Sequence, residues 1–186
     1  MKFLPCLHTL GLAAALVGNV ASASHWETSS YTGLGYIDEG GLDDSSFSSS
    51  FSVVYRFSEV WGIEGGYTSF GDFKSGFDLA GGRGQAQAEI DGFSLGLNYR
   101  RSINESWYVT SHAGLWGWRS DGKIEAPGVA SVRSDDDGTD AFIGAGFGYM
   151  FTQRWGAGLG FTWYGVDANG SSTSTYIVGL NTSYLF

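Results

Sequence analysis

Residues 174–186 read Ser-Thr-Tyr-Ile-Val-Gly-Leu-Asn-Thr-Ser-Tyr-Leu-Phe, and the pattern of the closing triplet recurs through the chain. A tyrosine followed two positions later by an aromatic or basic residue also closes three earlier segments, at 55–57, 99–101 and 149–151. A tryptophan follows each of them after a short polar turn, and another opens the series: Trp26, Trp61, Trp107 and Trp155. This ordered repetition indicates an architecture that is built from similar units.

The first 23 residues are typical of a secretory signal peptide. Lys2 precedes an apolar run over 10–17, and Ala21-Ser22-Ala23 resembles a cleavage site. The run is shorter than the roughly 20 residues that a membrane-spanning helix needs. We therefore expect residues 1–23 to be removed and residues 24–186 to form one exported domain. The single cysteine, Cys6, would leave with the signal, so we expect no disulfide and no cysteine nucleophile.

The chain of 186 residues is acidic, with a formal net charge of −9. Removing Lys2 from the ten basic residues leaves nine against nineteen acidic ones, a net charge of −10. Nucleic-acid binding needs a basic surface, so we do not expect a nucleic acid as partner.

Period-two alternation covers most of the remaining sequence, which predicts β-strands. In residues 47–57, for example, Phe47, Phe51 and Val53 alternate with serines. We count eight predicted strands, at residues 26–37, 47–57, 61–68, 93–100, 107–119, 143–149, 155–164 and 175–186.

The two faces of these strands distinguish a membrane barrel from a soluble β-sandwich. One face is apolar with aromatic residues at the strand ends, whereas the other consists mostly of Gly, Ser, Thr and Asn, which are too small for a second sandwich face. Short turns alternate with four longer polar segments, predicted as loops, at 38–45, 71–88, 120–139 and 165–173. This pattern predicts an all-β fold, an eight-stranded antiparallel up-and-down transmembrane β-barrel. The last strand must pair with the Trp26 strand, because lipid tolerates no open sheet edge.

Residues 55–67, Tyr-Arg-Phe-Ser-Glu-Val-Trp-Gly-Ile-Glu-Gly-Gly-Tyr, resemble the small outer-membrane barrels of the OmpA-like transmembrane family, as do 146–149 and 155–159. The resemblance implies location in the bacterial outer membrane, contact with its lipid and lipopolysaccharide, and insertion by the barrel-assembly machinery. It also implies that the aromatic residues Tyr184 and Phe186 are the assembly signal. It does not imply an activity.

Several charged residues fall on the inward face of the predicted barrel. Arg56 and Glu64 are diagonal across their hairpin, and buried charges need partners. We therefore predict a polar network in the lumen in which Arg56 pairs with Glu64, joined by Arg100, while His112 is a hydrogen-bonded lumen residue. An ion path through these charges is the alternative, although an eight-stranded barrel has little space for one.

Large inward side chains on one strand oppose small ones on its neighbours. Tyr108, Trp116 and Trp118 would point inward beside glycines on the strands that begin near 143 and 155. These three residues are predicted to plug the lumen. A β-bulge would instead turn Trp116 and Trp118 towards lipid, and the sequence leaves this alternative open.

Few residues of the sequence could act as catalytic groups. Ser111 is adjacent to His112 but points to the opposite face, so the two cannot form a dyad. We expect no catalytic residues, no cofactor and no metal site. The predicted loops carry an acidic surface formed by Asp43, Asp44, Asp135, Asp136 and Asp137. The Asp135-x-Asp137-Gly138 segment lacks the remaining ligands of a calcium loop.

These observations predict a monomeric outer-membrane barrel with a structural or surface-binding role, in adhesion or membrane integrity, whose loops contact lipid or an extracellular partner. Two alternatives remain at this point: a narrow ion-conducting channel and a lipid-modifying enzyme.

Overall fold

A computed structural model of the protein describes residues 25–39, 42–79, 82–125, 131–168 and 171–186. The predicted signal peptide, 1–23, lies outside them. The described residues form eight strands: β1 (Trp26–Glu39), β2 (Leu42–Arg56), β3 (Trp61–Leu79), β4 (Gly82–Ser102), β5 (Trp107–Glu125), β6 (Val132–Met150), β7 (Trp155–Ala168) and β8 (Ser171–Leu185). In this part of the chain, no helix is long and apolar enough to cross a membrane.

The strands close into one antiparallel barrel in sequence order, which confirms the predicted fold. Closure comes from β1 and β8, which pair from Glu27 opposite Leu185 to Asp38 opposite Ser174. The inward-facing and outward-facing residues alternate along each strand as the period-two pattern predicts.

The repeated sequence motif forms an aromatic girdle at the end of the barrel that carries the short turns. Each tryptophan contacts the tyrosine of the next triplet along the chain. The four pairs, with ring centroids 4.8–5.0 Å apart, are Trp26–Tyr55, Trp61–Tyr99, Trp107–Tyr149 and Trp155–Tyr184. Short turns lie at the periplasmic end of bacterial barrels, so this girdle marks the periplasmic membrane interface.

The prediction of four long polar loops at the other end is wrong. The strands are 14–21 residues long, and the hairpins continue until Glu39 opposes Leu42 and Leu79 opposes Gly82. Outside the membrane, water can solvate the side chains on both faces of a sheet, so a strand there needs no apolar face. The polar composition of these segments therefore does not distinguish strand from loop.

The ladder splits outside the membrane into two groups of strands. The β2–β3 pairing ends at Ser49 opposite Ser69, and the β6–β7 pairing ends at Phe142 opposite Tyr164. Strands β3 to β6 remain paired with one another well beyond these points. We call the part of β3–β6 that continues beyond these points the extended sheet; it comprises residues 72–79, 82–91, 119–125 and 132–140.

Candidate functional site: the barrel lumen and the extended sheet

The periplasmic end of the lumen is occupied by a buried ion triad. The Glu27 carboxylate accepts hydrogen bonds from Arg56 and, at 2.6 Å, from Arg100 Nη1. All three side chains are at least 88% buried. Tyr108 lies at the same level, with its ring 3.8 Å from the Arg100 guanidinium carbon. The triad holds two arginines against one carboxylate, so it depends on the next layer for charge balance.

The next layer centres on Glu64, which supplies that second carboxylate. Asn98 joins the layers, since its amide oxygen accepts from Arg56 Nη2 at 2.8 Å and its amide nitrogen donates to Glu64. On the other side of Glu64, Oε1 lies 3.2 Å from His112 Nδ1. The predicted direct pair of Arg56 and Glu64 is therefore wrong: Arg56 pairs with Glu27, and Asn98 separates it from Glu64.

A hydroxyl–imidazole–carboxylate chain completes this layer. His112 Nε2 lies 3.0 Å from the Thr162 hydroxyl, while Nδ1 faces Glu64. This is the connectivity with which some enzymes activate a nucleophile. The polar cavity beside it has a volume of about 50 Å³, space for roughly three to five water molecules. That space suits hydration of the network and is too small for an acyl or lipid substrate.

An aromatic cluster, which we call the plug, fills the outer half of the lumen. Trp116 is completely buried, with ring centroids 4.8 Å from Tyr164 and 5.9 Å from Phe70. Trp118 is 3% exposed and belongs to the same cluster. Both tryptophans thus lie inside the barrel, not against lipid. The other members of the plug are Phe73, Ile90, Phe142, Val166 and Ile177. Tyr108, which the sequence grouped with the tryptophans, lies instead beside Arg100 in the triad layer.

A β-bulge on β3 places two phenylalanines in the plug. Ser69 opposes Asp91 and Asp72 opposes Glu89, so β3 has one more residue than β4 between these pairs. Gly71 takes a positive φ of 69° at this point, a conformation that favours glycine. The extra residue reverses the alternation, and as a result both Phe70 and Phe73 are buried.

Inward glycines leave the space that these large side chains occupy. A Cβ at Gly144 would overlap the His112 ring, and one at Gly148 would overlap the ring of Tyr108. A Cβ at Gly138 would likewise overlap the Trp118 indole. The predicted match of glycines on β6 with large residues on β5 is therefore a cross-strand match, since His112 lies opposite Gly144 and Tyr108 opposite Gly148.

Side chains replace the backbone ladder where it splits. Between β2 and β3, the Ser46 and Ser48 hydroxyls donate to the carbonyls of Asp72 and Phe70, each at 3.2 Å. Between β6 and β7, the Trp116 indole donates to the Gly165 carbonyl at 2.8 Å. The Asp140 carboxylate accepts both the Trp118 indole at 2.6 Å and the Asp167 amide at 3.0 Å. The plug therefore supplies hydrogen bonds as well as packing.

The outer face of the extended sheet carries rows of like charge. Four exposed carboxylates oppose one another across β3–β6: Asp72, Glu89, Asp121 and Asp135. Partial burial raises the pKa of Glu89, which lies above the apolar belt, and the neighbouring carboxylates raise it further. Two residues further out, Lys123 opposes Arg133, so the rows have opposite sign.

The predicted acidic surface lies partly in this sheet. Asp135 and Asp137 are exposed on β6, and the Asp136 carboxylate accepts the Asp137 amide. The side chains of Asp43 and Asp44 lie outside the described residues. Among the side chains that are described, no three His, Cys, Asp or Glu residues group as metal ligands.

The predicted assembly residues lie at the closing seam. The Tyr184 ring packs against Trp155 in a tilted arrangement, and its centroid lies 4.8 Å from that of Phe186. The Phe186 amide donates to the Trp26 carbonyl at 3.0 Å. Both residues thus belong to the periplasmic girdle, and their role in assembly stays a prediction.

Sequence reasoning missed several residues of the lumen. Glu27 is inward by its position next to the girdle residue Trp26, and this signal could have identified it. Asn98 and Thr162 are also inward in the period-two pattern, but nothing in the sequence distinguishes them from other small polar residues. Phe70 continues the inward face of Glu64 and Thr68, whereas Phe73 depends on the bulge, which the sequence marks only with Gly71.

The triad makes a specific prediction about stability. Glu27→Ala leaves two buried arginines without their carboxylate, which should lower the free energy of unfolding by about 3–5 kcal/mol. Replacing Arg56 and then Arg100 by Met in that background should recover stability stepwise. Urea titrations of the refolded barrel, followed by tryptophan fluorescence, measure these changes. Glu105→Ala in an exposed turn is the control, expected within about 0.5 kcal/mol of the wild type. A cost for Glu27→Ala no greater than this control would contradict the triad's role.

Comparison with known proteins agrees with this architecture. Residues 10–186 match the family model of the outer membrane protein beta-barrel domain. No curated protein matches the sequence. Three similar solved structures are small barrels. One is Ail, the attachment invasion locus protein of Yersinia pestis, solved in complex with the heparin analogue sucrose octasulfate. Ail is 15% identical to this chain, with a TM-score of 0.57 over 88% of this chain and 100% of its own.

The other two structures have similar scores. Neisserial surface protein A is 12% identical, with a TM-score of 0.60 over 89% of this chain and 100% of its own. OprG from Pseudomonas aeruginosa is 15% identical, with a TM-score of 0.59 over 88% of this chain and 98% of its own. At these identities the likeness concerns the fold. With the family match over nearly the whole sequence, the chain belongs to the outer membrane protein β-barrel domain family of the bacterial outer membrane.

Proposed function

We propose that this protein is a non-conducting, non-catalytic outer-membrane barrel that presents the extended sheet as a surface-binding element. The proposal rests on the difference between the two parts of the strands, a closed lumen inside the membrane and an extended sheet outside it. The part inside the membrane is closed by the triad and the plug, whereas β3–β6 continue outside it as a sheet. Among the described residues, the outer edges of β3 and β6 in this sheet pair with no further strand.

The packed lumen favours a binding role over a channel. The plug fills the outer half with buried aromatic rings, of which Phe70 and Trp116 are completely buried, and the triad crosses the periplasmic end. An ion would therefore meet two barriers in series. The lumen cavity of about 50 Å³ also offers too little volume for a lipid, which argues against a lipid-modifying enzyme in the lumen.

The extended sheet suits an extended polypeptide as its ligand. Residues 133–139 of β6 pair with β5 on one side. On the other side, they have no strand partner among the described residues. Such an edge can bind a further strand through main-chain hydrogen bonds. Ail is a similar barrel that was solved in complex with a heparin analogue, so this fold can bind a ligand. The carboxylate row on the present sheet favours a basic segment over a sulfated polyanion.

Conductance distinguishes this proposal from a channel. Purified wild-type protein in a planar bilayer should show no steady current. Trp116→Gly and Arg100→Ser should each remain silent because the other barrier persists, and the double variant should conduct, since removing both opens a water path. Asp136→Asn, outside the lumen, is the matched control and should be silent. Stable, ion-selective currents from the wild type would overturn the proposal in favour of the channel.

Peptide binding tests the extended sheet directly. A ten-residue peptide of alternating lysine and valine should bind the protein in nanodiscs, and its glutamate–valine counterpart should not, because of the carboxylate row. N-methylation along one edge of the lysine peptide should abolish binding, since edge addition needs main-chain donors. Fluorescence anisotropy measures each affinity. Equal binding of the methylated and unmethylated peptides would contradict edge addition, and binding of the acidic peptide would contradict the charge argument.

A further inference from the structure

Hydroxyl side chains form a stripe on the outer surface of the barrel where it faces lipid. On β1, three consecutive outward positions are occupied by Thr28, Ser30 and Thr32. Across the seam, Thr182 on β8 lies opposite Ser30, and Ser49 on β2 lies opposite Thr32. We call these five residues the hydroxyl stripe. Several outward positions of other strands at this height are apolar, for example Leu95 and Leu97 on β4 and Leu159 on β7. On β5 a single hydroxyl, Ser111, lies at the height of Ser30 and is followed by Ala113 and Leu115.

The hydroxyl stripe lies near the middle of the membrane. Ser30 and Thr32 follow the girdle residue Trp26 by four and six positions. A strand tilted by about 40° rises roughly 2.5 Å per residue along the membrane normal, so these hydroxyls lie about 10 and 15 Å above the girdle in an apolar band about 25 Å tall. No water reaches a lipid-facing side chain at this depth.

The internal hydrogen bonding of the stripe is incomplete. Ser30 and Thr182 share one hydrogen bond of 2.7 Å. Two hydroxyls have two protons, and their mutual bond uses one, so the pair retains a donor that faces hydrocarbon. Ser30, Thr32, Ser49 and Thr182 are all exposed on the barrel surface. A polar partner at the same depth would satisfy these groups.

We propose that the hydroxyl stripe is the contact surface of a homodimer in the membrane, with a second copy of this chain as its occupant. All copies insert with the same direction and depth. A two-fold axis along the membrane normal therefore brings each hydroxyl opposite hydroxyls of equal depth. A different partner would need a matching polar stripe at that depth by coincidence.

Charge also favours this face for self-association. The hydroxyl stripe contains no charged residue, although the protein as a whole carries a net charge of −9. The carboxylate row lies on β3–β6, and β5 is four strands from β1 in either direction around the barrel. Contact through β1 thus keeps the acidic surfaces of the two copies apart. It also leaves both extended sheets exposed, although the dimer does not depend on what they bind. The proposal differs in this respect from the monomer that the sequence predicted.

Disulfide crosslinking in outer-membrane vesicles tests the dimer. Cys6, in the predicted signal peptide, is the one native cysteine, so single substitutions report one position each. Ser30→Cys and Thr32→Cys should form a disulfide-linked dimer on mild oxidation. Ser111→Cys and Ala113→Cys are matched controls on β5, because they follow Trp107 by the same four and six positions. They should yield about tenfold less dimer, the effect expected from a few lost membrane hydrogen bonds.

A second measurement avoids dependence on introduced cysteines. Fluorescence transfer between donor-labelled and acceptor-labelled protein in vesicles should fall on dilution with lipid. Replacing Thr28, Thr32 and Thr182 by the isosteric Val should weaken association by about tenfold, while the electrophoretic shift of the folded barrel on heating confirms folding. Equal crosslinking on β1 and β5, no transfer from the wild type, or adducts of another protein in place of the dimer would each overturn the proposal.

Discussion

Hydrocarbon cannot hydrogen-bond a peptide group, and this constraint determines where the ladder of this protein must be complete. Within the membrane every strand has two neighbours, and β1 closes on β8. Above the membrane, water satisfies the backbone, so the ladder can separate between β2 and β3 and between β6 and β7. The extended sheet exists because the constraint ends at the membrane surface.

The places where the ladder splits explain the chemistry of the plug. Trp116 and Trp118 combine a large apolar area with an indole donor, and both donors are used where β7 leaves β6. Asp140 completes this junction, and Ser46 with Ser48 does the same between β2 and β3. Packing and hydrogen bonding thus come from the same side chains, so the lumen cannot loosen without exposing backbone groups. The triad at the other end is held by charge, and the small cavity lies between these two layers.

Much of the barrel follows from the sequence because period two, an aromatic repeat and a face of small residues all point to one architecture. The aromatic repeat is visible in the sequence, whereas its physical basis, the contact of each tryptophan with the tyrosine of the next triplet, requires the strand register. The extended sheet could not be predicted, because segments such as 120–139 have the polar composition of a loop. The inward direction of Trp116 follows from alternation, whereas its contacts with Phe70 and Tyr164 depend on how the strands align across the barrel. Arg56 has two diagonal neighbours, Glu64 on β3 and Glu27 on β1, and the alternation alone does not show that Arg56 pairs with Glu27.

The central claim is that the aromatic plug closes the outer half of the lumen through buried, hydrogen-bonded indoles. Hydrogen–deuterium exchange of the tryptophan indole protons, followed by NMR in nanodiscs, tests it directly. The Trp116 and Trp118 indole protons should persist far longer than those of the girdle residues Trp61 and Trp107, since theirs are bonded to Gly165 and Asp140 inside the barrel. Exchange of the Trp116 proton as fast as that of Trp107 would mean that water reaches the plug, and would contradict the account.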